Sequence, residues 1–167
     1  MRSFEKVKRL ENEDIRLPER STKHSAGYDF FAIEDVIIPP SIMTKVNILG
    51  VMEDEDILTY FDKPVLVRTG VKAKMEHNEV LLLYNRSSNP SKKNLIIPNS
   101  VGVIDADYYG NEDNDGEMCF SFYNVGEDPV LIKKGEKLGQ GIFTKFLLTD
   151  DDNADGERNG GFGSTGN

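Results

Sequence analysis

Five short segments of the chain carry side chains whose types and spacing suit chemistry on a phosphorylated ligand. The densest is Asn99-Ser100-Val101-Gly102-Val103-Ile104-Asp105-Ala106-Asp107-Tyr108-Tyr109-Gly110, where two carboxylates bracket one alanine. Either carboxylate can serve as a general base or a metal ligand, and Tyr108 can pack on a flat ligand. On a continuous strand the two aspartates would share a face and repel each other, so the segment reads as a strand turning through a hairpin. Its plainer reading is an acidic hairpin tip.

Tyr84-Asn85-Arg86-Ser87-Ser88-Asn89-Pro90 sets a guanidinium and two hydroxyls behind an apolar run. The forked donors of Arg and the compact donors of Ser match phosphate oxygens, against the alternative of a polar loop. Ala26-Gly27-Tyr28-Asp29-Phe30 holds a carboxylate at an apolar strand start, where a cap or turn role is the simpler one. Lys134-Gly135-Glu136-Lys137-Leu138-Gly139-Gln140 reads as a hairpin turn, with Gly135 free to take positive φ and Gln140 opening the next strand. In Arg158-Asn159-Gly160-Gly161-Phe162-Gly163-Ser164-Thr165-Gly166, glycines let backbone N–H groups approach phosphate, Arg158 adds charge and Phe162 can cover a ring. A flexible tail is the alternative there. It is not a Walker loop, because no Gly-Lys-Ser/Thr triplet ends it. Asn111-Glu112-Asp113-Asn114-Asp115-Gly116 resembles a calcium loop only superficially, lacking a suitably spaced terminal glutamate between helices.

The elements that must hold these groups are mostly strands. Tyr28 to Ile33, Val36 to Ile38, Val65 to Val71, Val80 to Asn85, Leu95 to Ile97, Gly102 to Ile104, Met118 to Asn124, Val130 to Ile132 and Gln140 to Leu148 are short runs rich in Val, Ile, Phe and Tyr. Pro, Gly, Asn and Asp clusters separate them, which predicts an antiparallel sandwich or barrel with little helix. Ser41 to Asp62 reads as a surface insertion with room for one helix, since Ile42, Val46 and Leu49 fall at helical spacing before Gly50 and an acidic run. With 167 residues, no repeat and no Pro/Gly/Ser-rich linker, the expected organisation is one β domain over 1–148, interrupted at 41–62, and a Gly-rich arm over 149–167. By composition that arm is disordered when free.

Composition narrows the partners. Twenty basic against 29 acidic residues leave a net charge of −9, which argues against nucleic acid or an anionic membrane. The longest apolar run, Val80 to Tyr84, is far short of the roughly 20 residues of a membrane span, and the basic start leads into acidic residues, not an apolar secretory core. A lone cysteine, Cys119, points to a reducing compartment, so the expected location is the cytoplasm, or a host's cytoplasm for a viral protein.

Taken in order, Ala-Gly-Tyr-Asp, Arg-Ser-Ser, Gly-Val-Ile-Asp-Ala-Asp-Tyr, Gly-Glu-Lys-Leu-Gly-Gln and Gly-Gly-Phe-Gly-Ser-Thr-Gly closely resemble the five motifs of the trimeric dUTP pyrophosphatases, the dUTPases. The resemblance runs from about Val7 to Gly166, interrupted mainly at 41–62 and after Gly110. It implies a jelly-roll-like subunit, a homotrimer whose three sites draw on different subunits, and a C-terminal arm that closes over the site. It also implies hydrolysis of dUTP to dUMP and pyrophosphate with Mg²⁺, which keeps uracil out of DNA and supplies the thymidylate precursor.

By the same resemblance, Asp105 matches the aspartate that activates the attacking water, and Tyr108 the tyrosine that packs under deoxyribose and excludes a 2′-hydroxyl. Asn99, the backbone of Val103 and Ile104, and the return strand near Cys119 match the hairpin that reads uracil. Arg86, Ser87 and Ser88 match the phosphate-binding motif, with Ser87 donating to the oxygen that bridges the α- and β-phosphates. Gln140 matches a phosphate contact. Asp29 is expected to hold Arg86 and outer-sphere water of Mg²⁺, with no direct protein ligand to the ion. Phe162 is expected to stack on uracil, and Arg158, Ser164 and Thr165 to bind the β- and γ-phosphates.

The chain departs from the family pattern in places: Asn85 replaces a frequent Pro, Asn89-Pro90 replaces Leu-Gly or similar, Gly139 replaces a common Ala, and Arg158 precedes Phe162 by four residues where five is usual. The two insertions, 41–62 and 111–116, are candidate surfaces for a protein partner. Three rivals stand beside hydrolysis: a dCTP deaminase of the same fold, a dUTP-sensing interaction protein, and a structural jelly-roll subunit.

Overall fold

In the computed structural model the described residues are 1–44, 59–61 and 63–156. In chain order the strands are β1 (Ser3–Lys6), β2 (Tyr28–Phe31), β3 (Val36–Ile38), β4 (Ile42–Thr44), β5 (Thr59–Phe61), β6 (Val65–Arg68), β7 (Val71–Lys74), β8 (Glu79–Asn85), β9 (Leu95–Ile96), β10 (Val101–Asp105), β11 (Cys119–Asn124), β12 (Val130–Ile132) and β13 (Lys137–Lys145). One short helix, α1 (Ser88–Lys93), follows β8. A four-stranded sheet in the order β10-β8-β13-β2 and a three-stranded sheet in the order β6-β11-β9 carry the site, flanked by the two-stranded pairs β1-β7, β12-β3 and β4-β5. Among the described residues every pairing between these strands is antiparallel. Among the described residues no helix is long and apolar enough to cross a membrane.

Alternation explains the layering. Along β11 the buried positions are Phe120, Phe122 and Asn124, every second residue, and the two phenylalanines meet Phe30, Leu81, Leu83 and Leu138 in one apolar cluster. Each such side chain removed from water contributes roughly 1.5–3 kcal/mol before the entropy of ordering is subtracted. The stacked Phe120 and Phe122 rings, with centroids 6.3 Å apart, bring the interior against β13 so closely that a side chain there has no room. A Cβ at Gly139 would lie 2.0 Å from Phe120 Cε1 and 2.6 Å from the Tyr84 carbonyl oxygen. An alanine at this position would therefore force the Phe120 ring or the β8 backbone to shift.

Several strand expectations are corrected. Val65 to Val71 is two strands, because Gly70 at φ +68° turns the chain between β6 and β7. β13 begins at Lys137, before the expected Gln140, and ends at Lys145, leaving Phe146, Leu147 and Leu148 exposed. β1 carries no strong alternation and was not anticipated; it is recruited by pairing with β7. The expected hairpin after Ile104 is not a ladder: β10 belongs to one sheet and β11 to the other, joined by a one-turn 3-10 helix at Ala106–Tyr108 and a loop. At the insertion, Ile42 lies in β4 and pairs with Phe61 of β5, so this end is a strand where helical spacing suggested a helix. The remainder of that expectation, 45–58, falls outside the described residues.

The acidic loop before β11 is held from beneath. Lys72, 5% exposed, donates to both Asp115 oxygens at 2.8 and 3.0 Å, and the Lys8 backbone N–H reaches Asp115 Oδ2 at 2.7 Å. Burial opposes the Asp115 charge, but these bonds and the Lys72 cation outweigh it and hold its carboxyl below the usual range. Glu117 is buried beside Arg9 and Arg68 and accepts the Gly70 N–H at 2.8 Å. Such paired, hydrogen-bonded burial tethers the loop to β6 and β7 and sets where β11 begins.

Candidate active site

Two cavities contain most of the residues singled out from the sequence. The first, of about 470 Å³, opens where β10 faces β6 and β11. Asn99, Val103, Ile104 and Cys119 line it, so four residues expected to recognise one base do converge. Its floor is apolar, from the buried Leu83 and Phe120, with exposed Leu66 beside them, and Ser121 adds a hydroxyl. Among the described residues β10 ladders only to β8, so alternate N–H and C=O groups of this edge are turned away from the sheet, as a planar ligand with donors and acceptors requires. The turn that starts β10 is tight: Ser100 sits at φ +61° and donates its N–H to the Ile97 carbonyl at 3.1 Å. Burial, reinforced by Glu117, pushes the Cys119 thiol up to about 12, so it is a neutral wall and no nucleophile at ordinary pH.

Asp105 ends β10, half-buried, just before the 3-10 turn. Asp107 points to solvent. The chain turns between the two aspartates, so they are not stacked on one strand face. Tyr108 is not brought to the cavity wall. Its ring is 3% exposed in the apolar cluster, and its hydroxyl donates to the Glu117 carbonyl at 3.2 Å while accepting from Asn114 Nδ2 at 2.7 Å.

The second cavity, of about 280 Å³, gathers Asp29, Arg86, Ser87, Ser88, Lys137 and Gln140, with Ser21. Register explains the meeting: Asp29 on β2 faces Gln140 on β13, and Gln140 faces Tyr84 at the end of β8, from which Arg86 follows. Lys137 and Gln140 are three residues apart and would take opposite faces of a regular strand. A register shift between Lys137 and Gly139 allows both to reach Asp29. Asp29, 2% exposed, accepts from Lys137 Nζ at 2.5 Å, Ser21 Oγ at 2.5 Å and Gln140 Nε2 at 3.1 Å. Burial works against its charge, but those three bonds and the Lys137 cation prevail and hold the carboxyl below its ordinary range.

One expected contact is corrected here. Asp29 does not hold Arg86; its cation is Lys137, and Arg86 Nη1 instead donates to the Lys137 carbonyl at 3.2 Å. The reason is geometric, because Lys137 arrives on the neighbouring strand whereas Arg86 lies one strand further away. Lys137 and Ser21 were missed from sequence. Lys137 was visible as a cation inside the fourth motif, but only the shift in β13 turns it inward. Arg158, Phe162, Ser164 and Thr165 lie outside the described residues. Among the described residues no group of three or more His, Cys, Asp and Glu is placed to hold a metal ion.

Comparison with known proteins agrees with this geometry. Residues 48–166 match the dUTPase family model. The deoxyuridine 5′-triphosphate nucleotidohydrolase of Lactococcus lactis is 45% identical over 168 residues, covering 99% of this chain and 98% of the relative. That of Rickettsia massiliae is 31% identical, covering 96% and 95%. A crystal structure of dUTPase from Streptococcus mutans superimposes with a TM-score of 0.72 at 40% identity, over 89% of this chain and 98% of that one. A dUTPase from phage phi11 of Staphylococcus aureus, at 20% identity and TM-score 0.66 over 93% and 97%, shares the fold. A jelly-roll-like, nearly all-β subunit, two cavities built from four of the five motifs and these full-length likenesses lead to one conclusion: the chain belongs to the dUTPase family.

Proposed function

We propose that the chain hydrolyses dUTP to dUMP and pyrophosphate. The observation that carries the reading is the division of labour between the cavities: a backbone-edged, apolar pocket suited to a flat base, and a charged pocket with Arg86, Lys137, Gln140 and three serines suited to phosphate oxygens. In the proposed step Asp105 takes a proton from a water molecule whose oxygen attacks the α-phosphorus in line. The bond from that phosphorus to the bridging oxygen breaks, and pyrophosphate leaves. Ser87 donates to the bridging oxygen as charge builds there, and Arg86 and Gln140 hold the phosphates. Asn99 and the edge of β10 discriminate uracil from cytosine, whose amino group puts a donor where uracil has an acceptor. By motif position Tyr108 belongs on the sugar side of the nucleotide, with its hydroxyl held between the Glu117 carbonyl and Asn114.

The two cavities share no lining residue. The charged cavity draws on β2, β13 and the segment after β8, whereas the apolar one lies along β10 and across to β6 and β11. Membership of the family supports a homotrimer in which the base pocket of one copy faces the phosphate pocket of another, with the arm's Phe162, Arg158, Ser164 and Thr165 closing over both. Mg²⁺ fits this donor set as an ion held by triphosphate oxygens and water: Asp29 is engaged with Lys137, Ser21 and Gln140, which leaves it an outer-sphere role. Bound there, the ion supplies positive charge that a −9 chain lacks. A cytoplasmic site of action is part of the same proposal.

Product analysis with dUTP, dCTP, UTP and dTTP tests the reading. Equimolar dUMP and pyrophosphate from dUTP alone, abolished by EDTA, is the expected result. Ammonia from dCTP would replace hydrolysis with deamination, and tight dUTP binding without turnover would replace it with sensing.

A further inference from the structure

Two positions at which this chain departs from its family, 85 and 89, touch each other in the structure. Asn89 is 3% exposed, and its Nδ2 donates to Asn85 Oδ1 at 2.7 Å and to the Leu138 carbonyl at 2.7 Å. Asn85 Oδ1 also accepts the Arg86 N–H at 2.9 Å, while Asn85 Nδ2 donates to the Leu95 carbonyl at 3.0 Å. The Asn89 N–H returns to the Arg86 carbonyl at 3.0 Å. The segment Arg86-Ser87-Ser88 is thus bracketed by two carboxamides, with both backbone groups of Arg86 engaged.

The far end of the bracket gives it a consequence. Leu138 stands between Lys137 and Gln140 on β13, so Asn89 joins the two segments that contribute side chains to the charged cavity. A proline and a leucine at 85 and 89, as the family pattern has them, cannot make these bonds. A buried carboxamide with both amide hydrogens used fixes distance and orientation more narrowly than apolar contact does, because the bonds are directional and costly to leave unmade.

We propose that Asn85 and Asn89 form a clasp that sets the spacing of Arg86, Ser87 and Ser88 against Lys137 and Gln140, and so tunes recognition of the nucleotide's outer phosphates. Both are positioning residues, acting through Arg86 and Leu138. The proposal rests on reading the charged cavity as the phosphate site, and its test separates the two ideas.

The measurement is the affinity of the intact oligomer for a non-hydrolysable dUTP analogue and for dUMP, with thermal unfolding in parallel. Arg86→Ala is the control for the site: unchanged analogue affinity there overturns the phosphate reading itself. Asn89→Leu is expected to weaken the analogue about 5- to 20-fold, the loss of one to two net hydrogen bonds, while dUMP affinity stays within about twofold. Asn85→Ala, which leaves the Asn89 bond to Leu138 in place, is expected to move the same ratio by a smaller factor and serves if Asn89→Leu unfolds. The double variant should lose less than the product of the single losses, because the two act as a unit. With Arg86→Ala impaired, an unchanged analogue-to-dUMP ratio in both single variants overturns the clasp, as does a fully multiplicative double variant.

Discussion

On one flank of the four-stranded sheet, β10 offers an open backbone edge over an apolar floor; on the other, β2 buries a carboxylate against a lysine, a serine and a glutamine. The first pocket is lined by groups that carry no charge. The second concentrates charge and must therefore be wired, because a buried ion without partners is costly. A neutral edge depends on the turns at its ends, and a charged hub on every bond within it.

The largest break in this comparison comes at the end of β10. Asp105→Asn keeps shape but removes the proposed base, so kcat for dUTP is expected to fall at least ~10²-fold with binding retained, read by single-turnover assay and titration. Equal rates in both proteins would place the base elsewhere.

The charged hub fails next. Asp29→Ala leaves Lys137 without its carboxylate and Gln140 without an acceptor. Because Lys137 is 35% exposed, solvent screens the pair, and the expected loss is about 2 kcal/mol in denaturant unfolding, with KM raised through the displaced cation.

Gly139→Ala joins the two regions, since Gly139 lies on the strand of the charged pocket while Phe120 lines the apolar one. Displacing that ring is expected to cost about 1–3 kcal/mol and to weaken base discrimination, measured as the dUTP to dCTP ratio.

The smallest effect concerns acid. Asp29, Glu5 and Asp115 all have carboxyls below their ordinary range when folded, Glu5 chiefly through the Tyr109 hydroxyl. Each binds fewer protons folded than unfolded, so its contribution is complete above about pH 4, the unfolded carboxylate value, and is lost as pH falls through the lower folded one. Tyr109 has the opposite sign: its hydroxyl, pushed up to about 12, contributes below about 10 and loses that contribution as pH rises towards 12. Unfolding free energy measured across pH should therefore decline at both ends, and a flat acid limb would show that the carboxylate network is not stabilising.

The sheets were legible because their strands are dense in Val, Leu, Ile and Phe and punctuated by Pro and Gly. β1 was not, since Ser-Phe-Glu-Lys acquires strand structure only from β7. α1 was hidden too: Ser88–Lys93 has no apolar periodicity, and Pro90 is tolerated because the first turn of a helix leaves its N–H groups unpaired. That Asn99, Val103 and Ile104 line one cavity was legible because they sit in one local segment. Asp29 was found and given the wrong cation.

What the residues determined unaided is which reactive groups are present and their order along the chain, because the carboxylates, guanidinium and hydroxyls sit in contiguous motifs that keep their identity however the chain folds. Which groups meet was decided by tertiary structure. Lys137 reaches Asp29 only through a shifted ladder, and Asn89 reaches Leu138 only once α1 lies against β13. Such contacts span 49 and 108 positions in sequence, and it is strand register that brings them within bonding distance.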